Sequence, residues 1–379
     1  ARANLNPQLA QPSRLRKVSL NRLEAAVRAR LEMKQPPTEE MQFLAGLTRV
    51  RYLFYYPETK DIVLAGPAEG WAHDAVDTPR ALRSSRPILQ LQDLIVALRA
   101  FPPSGKSSGA ILVSIDPTAE GLSRMQEFLR SVGSHATPDD TDGIVNGLRN
   151  SLGMQNVRVQ GIPPSTHFAK VLLECDYRMK LIGIGLETPP VRMVSYVDRA
   201  VPSRSKSALM RWYFIPDYHS VRVAADKLGL ELVGDTVKLV GEDQVVANDG
   251  SRSVTSKGGN KASELFTRTI TNKYPELATH GPDFAEMRNC IDLAIAAAFI
   301  AQQDLYQQSG WRAEVFNNEQ ALSVETYNVP EHTETVCTAV WKGNVLMTPV
   351  AATEPWPRTD LLPRARWFFC GCVACCPSV

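Results

Sequence analysis

Four polar side chains between residues 167 and 178 recur regularly and could together form a reactive site. His167, Lys170, Glu174 and Arg178 recur at intervals of three or four residues, which places them on one face of an α-helix. The functional interpretation is a polar cluster in a cleft, with His167 as proton carrier, Glu174 as its orienting carboxylate and Arg178 as the third site residue. The alternative is a solvated face in which Glu174 and Arg178 form a pair worth about 0.2–0.5 kcal/mol. Asp176 falls on another side of the helix, so it is not expected to pair with His167.

A second chemically suggestive group is a set of cysteines at the end of the chain. Four of the seven cysteines stand in the last ten residues: Cys370, Cys372, Cys375 and Cys376. Their CxCxxCC spacing could bind a soft metal ion or form disulfides. Neither a histidine nor a second cysteine pair lies nearby to complete a structural zinc site, which favours a reactive or disulfide-forming tail, or an atypical chain end, over metal binding. Cys175, Cys290 and Cys337 stand in apolar contexts, which predicts small buried hydrophobic side chains.

The element that would position the polar cluster is an amphipathic helix. Thr166 predicts its first turn as an N-cap, and apolar residues at helical spacing from Phe168 to Met179 predict its buried face. The apolar run 180–184 that follows predicts a buried strand. An earlier amphipathic helix is predicted over 20–31, with Asn21 and Glu24 as its capping pair.

Strand signals surround these helices. Residues 50–56 and 62–65, joined by a turn, predict a hairpin, and 111–115 predicts a buried strand before a helix over Ala119–Val132. An aromatic stretch at 211–215, followed by 221–224, resembles that hairpin and suggests internal duplication. The order of strands and helices predicts a mixed α/β (α+β) fold with several short sheets and hairpins packed with amphipathic helices.

The chain is long enough for two or more subdomains. The predicted divisions are an N-terminal segment with a basic amphipathic helix (1–37), a first α/β domain (38–152), a second α/β domain with a helical C-terminal part (153–350) and a Pro- and Cys-rich tail (351–379).

Composition and motifs exclude several classes of function. The net charge of +2 provides no basic field for nucleic acid, and no apolar run has the roughly 18–20 residues of a membrane helix. Gly105-Lys106-Ser107 lacks the first glycine of a phosphate-binding loop, and Gly183-x-Gly185 lacks the third glycine of a dinucleotide-binding loop. Neither HExxH nor G-x-S-x-G occurs. No cofactor is therefore predicted.

Several long segments resemble one family. Among them are SIDPTAEGL, THFAKVLLECDYRMKLIGIGLE and PDFAEMRNCIDLAIAAAFI, and together they extend over most of 39–300. The chain resembles a family of planctomycete exported proteins catalogued as domain of unknown function 1598. The resemblance implies export from the cell and provides neither an activity nor catalytic residues. The cysteine-rich end after about Pro355 does not share it.

These observations favour a non-catalytic exported protein in the periplasm, in the cell envelope or outside the cell. It would act by self-association or by binding an envelope partner, since aromatic hairpins could pair edge to edge. The alternative is a hydrolase of unusual type whose site surrounds His167 and Glu174.

Overall fold

The computed structural model of the protein describes residues 6–75, 77–103, 109–133, 136–201, 211–241, 244–246, 252–254 and 261–352. The helices of these residues are α1 (Pro7–Ala10), α2 (Leu20–Glu32), α3 (Glu39–Gln42), α4 (Leu91–Ala100), α5 (Ala119–Val132), α6 (Thr141–Leu152), α7 (His167–Ile184), α8 (Tyr196–Arg199), α9 (Lys261–His280), α10 (Pro282–Gln302) and α11 (Leu305–Ser309). The strands are β1 (Ser13–Ser19), β2 (Tyr52–Tyr56), β3 (Asp61–Ala68), β4 (Trp71–His73), β5 (Pro79–Ala81), β6 (Leu112–Pro117), β7 (Met154–Gln160), β8 (Trp212–Pro216), β9 (Val221–Val223), β10 (Gly229–Leu232), β11 (Val237–Gly241), β12 (Gln244–Val246), β13 (Arg252–Val254), β14 (His332–Cys337), β15 (Val340–Lys342), β16 (Val345–Met347) and β17 (Val350–Ala352).

The largest sheet of the described residues is antiparallel, with the strand order β1-β3-β2-β10-β9. The predicted hairpin forms its centre as β2 and β3. Leu53 and Tyr55 of β2 are buried against the helices, and Tyr52 and Phe54 alternate with them on the other face. Strand β10 pairs with β2 in a register that sets Leu230 opposite Leu53.

A second antiparallel sheet has the order β17-β14-β7-β6, and strands β8 and β11 form a separate pair. The predicted strand at 111–115 is β6, and the helix predicted over Ala119–Val132 is α5 with the same bounds. The fold is therefore mixed α/β with several short antiparallel sheets, as the sequence predicted.

Helix α10 lies at the centre of the molecule, where it packs against α4, α7 and α9. Fourteen of its 21 residues are buried, which fits a helix that is apolar on nearly every side. The main hydrophobic cluster around it takes residues from Val18 to Ala351. Helix α7 contacts both α10 and β6, so it connects this core to the second sheet.

Two local predictions were wrong. Residues 180–184 are the last turns of α7 and not a strand, since a short apolar run fits a buried helix equally well, and Gly185 ends the helix with a φ of 80°. The stretches at 211–215 and 221–224 do not pair with one another. Strand β8 pairs with β11, and β9 pairs with β10, which removes the basis for a second hairpin.

The start of α2 also differs from the prediction. Ser19 is the N-cap, and its hydroxyl accepts a hydrogen bond from the Arg22 amide, so Asn21 already lies inside the helix. The Asn21 side chain instead accepts a hydrogen bond from the amide of Ile62 in β3. Glu24 is not a capping residue but is buried in the core.

The four cysteines Cys370, Cys372, Cys375 and Cys376 lie outside the described residues. Cys175 and Cys290 are buried, as predicted, and Cys337 is partly buried. Across the described residues, no helix combines the length and apolarity that crossing a membrane would require.

Candidate functional site

Helix α7 carries two candidate sites, one around His167 in its first turn and one around Lys180 in its last turn. Its first turn is capped by Thr166, whose hydroxyl accepts a 3.3 Å hydrogen bond from the Ala169 amide. Phe168 and Met179 are buried, as the apolar pattern predicted. His167 stands in the first turn and Lys180 in the last, about 20 Å apart along an axis that rises about 1.5 Å per residue.

His167 is held by a carboxylate from another helix. Its Nδ1 lies 3.0 Å from each carboxylate oxygen of Asp93 in α4, and because a carboxylate only accepts, Nδ1 carries the hydrogen of this contact. Burial by itself would lower the pKa of His167, but the charge and hydrogen bond of Asp93 outweigh burial and raise it.

Three further side chains surround the His167–Asp93 pair. Nη1 of Arg80 in β5 lies 3.0 Å from Oε1 of Glu286 in α10. Burial raises the pKa of Glu286, against the opposing charges of His167 and Arg80. The ring of Tyr327 lies 6.1 Å from the His167 ring.

Glu174 and Arg178 lie further along the same helix. Seven residues separate Glu174 from His167, which is about 10 Å along the helix axis. Arg178 forms ion pairs with Glu187, at 2.8 Å, and with Asp283. Burial lowers the pKa of Arg178, but the Glu187 hydrogen bond and the charges of Asp283, Glu187 and Glu174 raise it overall. The predicted site is therefore divided: His167 contacts Asp93, whereas Arg178 forms its ion pairs further along the helix, near Glu174.

The last turn of α7 holds a buried ion pair. Lys180 Nζ donates to Asp176 Oδ2 at 2.8 Å and to the backbone carbonyl of Ile115 in β6 at 2.7 Å. Both side chains are buried. Burial raises the pKa of Asp176, and the Lys180 charge opposes the rise. The lysine thus joins α7 to the backbone of β6.

This ion pair borders a cleft of about 330 Å³ of space that is partly open to solvent. Its walls include Asp116, Gln155, Lys180, Arg211, Trp212 and Val350. His167, Glu174 and Arg178 do not line it. The sequence pattern did not reveal this site, because residues 180–184 predicted a strand. Asp176 and Lys180 at helical spacing inside an apolar segment were the available signal.

The described residues contain no group of three or more His, Cys, Asp or Glu side chains that could hold a metal ion. The metal-binding hypothesis for the terminal cysteines concerns residues outside that part and stays a prediction.

Part of the chain matches a known protein family. Residues 113–196 match the model of a family described as Protein of unknown function (DUF1598). No curated protein and no solved structure matches the chain. The matched segment begins in β6 and extends through α7 into α8, so it contains His167, Asp176 and Lys180. Over these residues the chain is similar to the DUF1598 family, as the sequence resemblance predicted.

Proposed function

We propose that the protein is a binding protein that takes a carboxylate or carbonyl oxygen of a small polar ligand in the Lys180 cleft. The observation that carries this proposal is the hydrogen bonding of Lys180. An ammonium group has three donors, and two of them are used by Asp176 and the Ile115 carbonyl. Within the part of the chain that the structure describes, the third donor meets no protein acceptor.

The burial of Lys180 makes this third donor significant. The side chain is 11% exposed and lines the cleft, so bulk water has little access to the ammonium group. A buried donor without an acceptor costs about 1–3 kcal/mol. An oxygen atom of a ligand in the cleft would recover that free energy.

The charges of the cleft restrict the ligand class. Asp176 already neutralises Lys180, and Asp116 brings a second negative charge near this pair. Arg211 brings one more positive charge to the wall. These four charges sum to zero, so the cleft favours a neutral carbonyl most. A single carboxylate would add one negative charge and a phosphate dianion two, and an unbalanced buried charge is costly.

The test is a titration of the isotopically labelled protein with acetamide, sodium acetate and inorganic phosphate. We expect acetamide and acetate, but not phosphate, to shift the backbone amide signals of Asp116 and Lys180. Replacing Lys180 alone would strand the buried Asp176 charge, so the cleft variant is the double substitution Asp176→Leu/Lys180→Met. Lys170→Met, at the other end of α7, is the control. Equal shifts in the wild type and the double variant would contradict the proposal.

We also propose that the protein acts outside the cytoplasm and associates with itself or with an envelope partner. Family resemblance supports the location. The surface that supports association is strand β9, which ends the five-stranded sheet of the described residues and leaves Val223 exposed. The β2–β3 hairpin is not suited to edge-to-edge association, since β1 pairs with β3 and β10 pairs with β2.

Two measurements test these points. Light scattering should give a mass above that of one chain, and Val223→Pro, which removes a backbone donor from β9, should reduce it. A single-chain mass for the wild type would contradict self-association. Fractionation of the source cells should recover the protein outside the cytoplasm, and recovery inside it would refute the location.

The second candidate function is hydrolysis at His167. The contact that favours it is His167–Asp93, because a carboxylate that orients an imidazole is the usual arrangement of a general base. We expect His167→Ala and Asp93→Asn to abolish any hydrolytic activity found by substrate screening, with Glu174→Ala tested beside them. Activity that survives His167→Ala and Asp93→Asn would exclude this site.

A further inference from the structure

Four charged side chains from four separate elements meet beside the first turn of α7. Arg80 of β5, Asp93 of α4, His167 of α7 and Glu286 of α10 have side-chain exposures of 20%, 8%, 14% and 15%. They form two close contacts, Asp93 with His167 and Arg80 with Glu286, each at 3.0 Å. We call these four residues the proton cluster.

The charges of the proton cluster balance only when it holds an additional proton. Arg80 contributes one positive charge, and ionised Asp93 and Glu286 contribute two negative charges. With His167 neutral, the four side chains sum to one negative charge, and with His167 protonated they sum to zero. Asp74, which pairs with Arg80 Nε at 3.4 Å, adds one negative charge nearby, and Lys170 above the Tyr327 ring adds one positive charge, so these two neighbours leave the sum unchanged. A net charge is expensive to bury, so the folded protein favours the protonated cluster.

Orphaned polar atoms indicate that the proton cluster also encloses water. Arg80 Nη1, Glu286 Oε1 and Gln92 Oε1 are buried and have no hydrogen-bond partner. The 3.0 Å contact of Arg80 with Glu286 is an ion pair in which no N–H points along the line between the two atoms. Arg80 Nη1 and Glu286 Oε1 lie together, and a water molecule beside them can accept from the first and donate to the second.

Gln92 lies near the proton cluster because its side chain is hydrogen-bonded to Tyr327. The Tyr327 hydroxyl lies within the fields of Asp93 and Glu286, and burial is the main cause that raises the pKa of Tyr327. Lys170 Nζ lies 4.9 Å above the Tyr327 ring. Burial and the charge of Lys170 act against a proton on His167, while the charges of Asp93 and Glu286 favour it.

We propose that the proton cluster, with one enclosed water molecule, is a proton-binding site that fixes the β4–β5 hairpin to α4, α7 and α10 while it holds its proton. Arg80 is the hairpin's charged contact with α10, through Glu286. When the proton leaves, the cluster buries a net negative charge. Separation of the β4–β5 hairpin from the helices then lets water reach that charge at the lowest cost in free energy.

The sign of the pH dependence follows from the direction of both shifts. The pKa of His167 is raised above 6.5 and that of Glu286 above 4.5 in the folded protein. A group whose pKa is raised on folding stabilises the folded state below its unfolded pKa, and this contribution disappears as pH rises through the folded pKa. The free energy of unfolding should therefore fall as pH rises above about 4.5 through the Glu286 contribution and above about 6.5 through the His167 contribution.

The test follows the His167 ring nitrogens by NMR between pH 5 and pH 9, with His167→Gln used to assign them. We expect a wild-type midpoint above pH 6.5. Glu286→Gln removes the negative charge that demands the proton, so its midpoint should fall by at least about one pH unit, a tenfold loss of proton affinity. Glu276→Gln, an exposed substitution on α9, should leave the midpoint unchanged.

A wild-type midpoint at or below 6.5 would overturn the proposal, whether or not the variants fold. Equal midpoints in the wild type and Glu286→Gln would overturn it too. Amide exchange at Arg80 should accelerate above the midpoint, and pH-independent exchange would refute the role of the hairpin. A crystal structure without water at Arg80 Nη1 and Glu286 Oε1 would refute the enclosed water. None of these results depends on ligand binding at Lys180, so the two proposals can fail separately.

Discussion

The carboxylate of Glu24 accepts a 2.6 Å hydrogen bond from the indole N–H of Trp311, although 287 residues separate them. Its other oxygen accepts from the backbone amides of Val315 and Phe316, at 2.7 and 3.0 Å. One buried carboxylate therefore satisfies three donors, and it fixes helix α2 to the segment that follows α11.

Glu24→Ala should destabilise the protein by about 3 kcal/mol, because it strands three buried donors at once. Glu32→Ala in the exposed last turn of the same helix is the matched control, with a change within about 0.5 kcal/mol. Urea unfolding followed by circular dichroism measures both. A Glu24→Ala protein as stable as Glu32→Ala would show that these hydrogen bonds contribute little.

Two helical glycines should respond in opposite directions to alanine. A Cβ at Gly183 would lie 2.4 Å from Cζ3 of the Trp212 ring, which is fully buried, so Gly183→Ala should cost about 1–3 kcal/mol through overpacking. A Cβ at Gly143 of α6 would meet nothing within 4 Å, so Gly143→Ala should gain about 0.5–1 kcal/mol of helix stability. Thermal unfolding distinguishes the two, and a stabilising Gly183→Ala would contradict the packing.

The buried ion pair between Arg49 and Asp292 should matter far more than an exposed one. Arg49 Nε donates to Asp292 Oδ2 at 3.0 Å, and the Asp292 carboxylate is fully buried. Arg49→Met should cost about 3–5 kcal/mol, because it removes the charged partner of this buried carboxylate and leaves the Thr236 hydroxyl as its donor. Arg222→Met, which removes a 3.9 Å contact with Glu231 from a 69% exposed side chain, should cost less than about 1 kcal/mol. Chemical denaturation would contradict this ranking if the two variants were equally stable.

Cysteine reactivity should follow burial. Burial is the main cause that raises the pKa of the Cys175 and Cys290 thiols well above the ordinary value, and it raises that of Cys337 to about 12. Few thiolates then form at pH 8. In the native protein these three cysteines should resist iodoacetamide, and in urea they should react fully, as peptide mapping by mass spectrometry can measure. Native labelling at the unfolded rate would contradict their burial.

The sequence predicted elements whose signals are local. The β2–β3 hairpin and helix α5 each contain their own turn or cap and a strong apolar period, and both formed as predicted. The strand prediction for residues 180–184 was wrong because a segment of five apolar and basic residues is too short to show a period of its own. Their structure is set by the helix that precedes them and by the buried contact of Gly183 with Trp212.

The candidate sites depended on partners that local patterns do not contain. The sequence identified His167 as a proton carrier, but Asp93, which holds it, lies 74 residues earlier in α4. Glu24 matched a capping pattern and is in fact a core carboxylate whose partners are nearly 300 residues away. The periodicity of a sequence indicates which face of a helix is polar, and tertiary structure decides what that face contacts.

The strand order β1-β3-β2-β10-β9 has a consequence for how the chain acquires its structure. Strand β2 finds β3 across a short turn, but its other neighbour, β10, follows about 170 residues later, and closing so long a loop is slow. During synthesis, the backbone groups on one edge of β2 stay unpaired until residue 232, the end of β10, has emerged. In that interval the side chains of Leu53 and Tyr55 would be only partly buried. The growing chain is therefore most prone to aggregation before β10 pairs with β2.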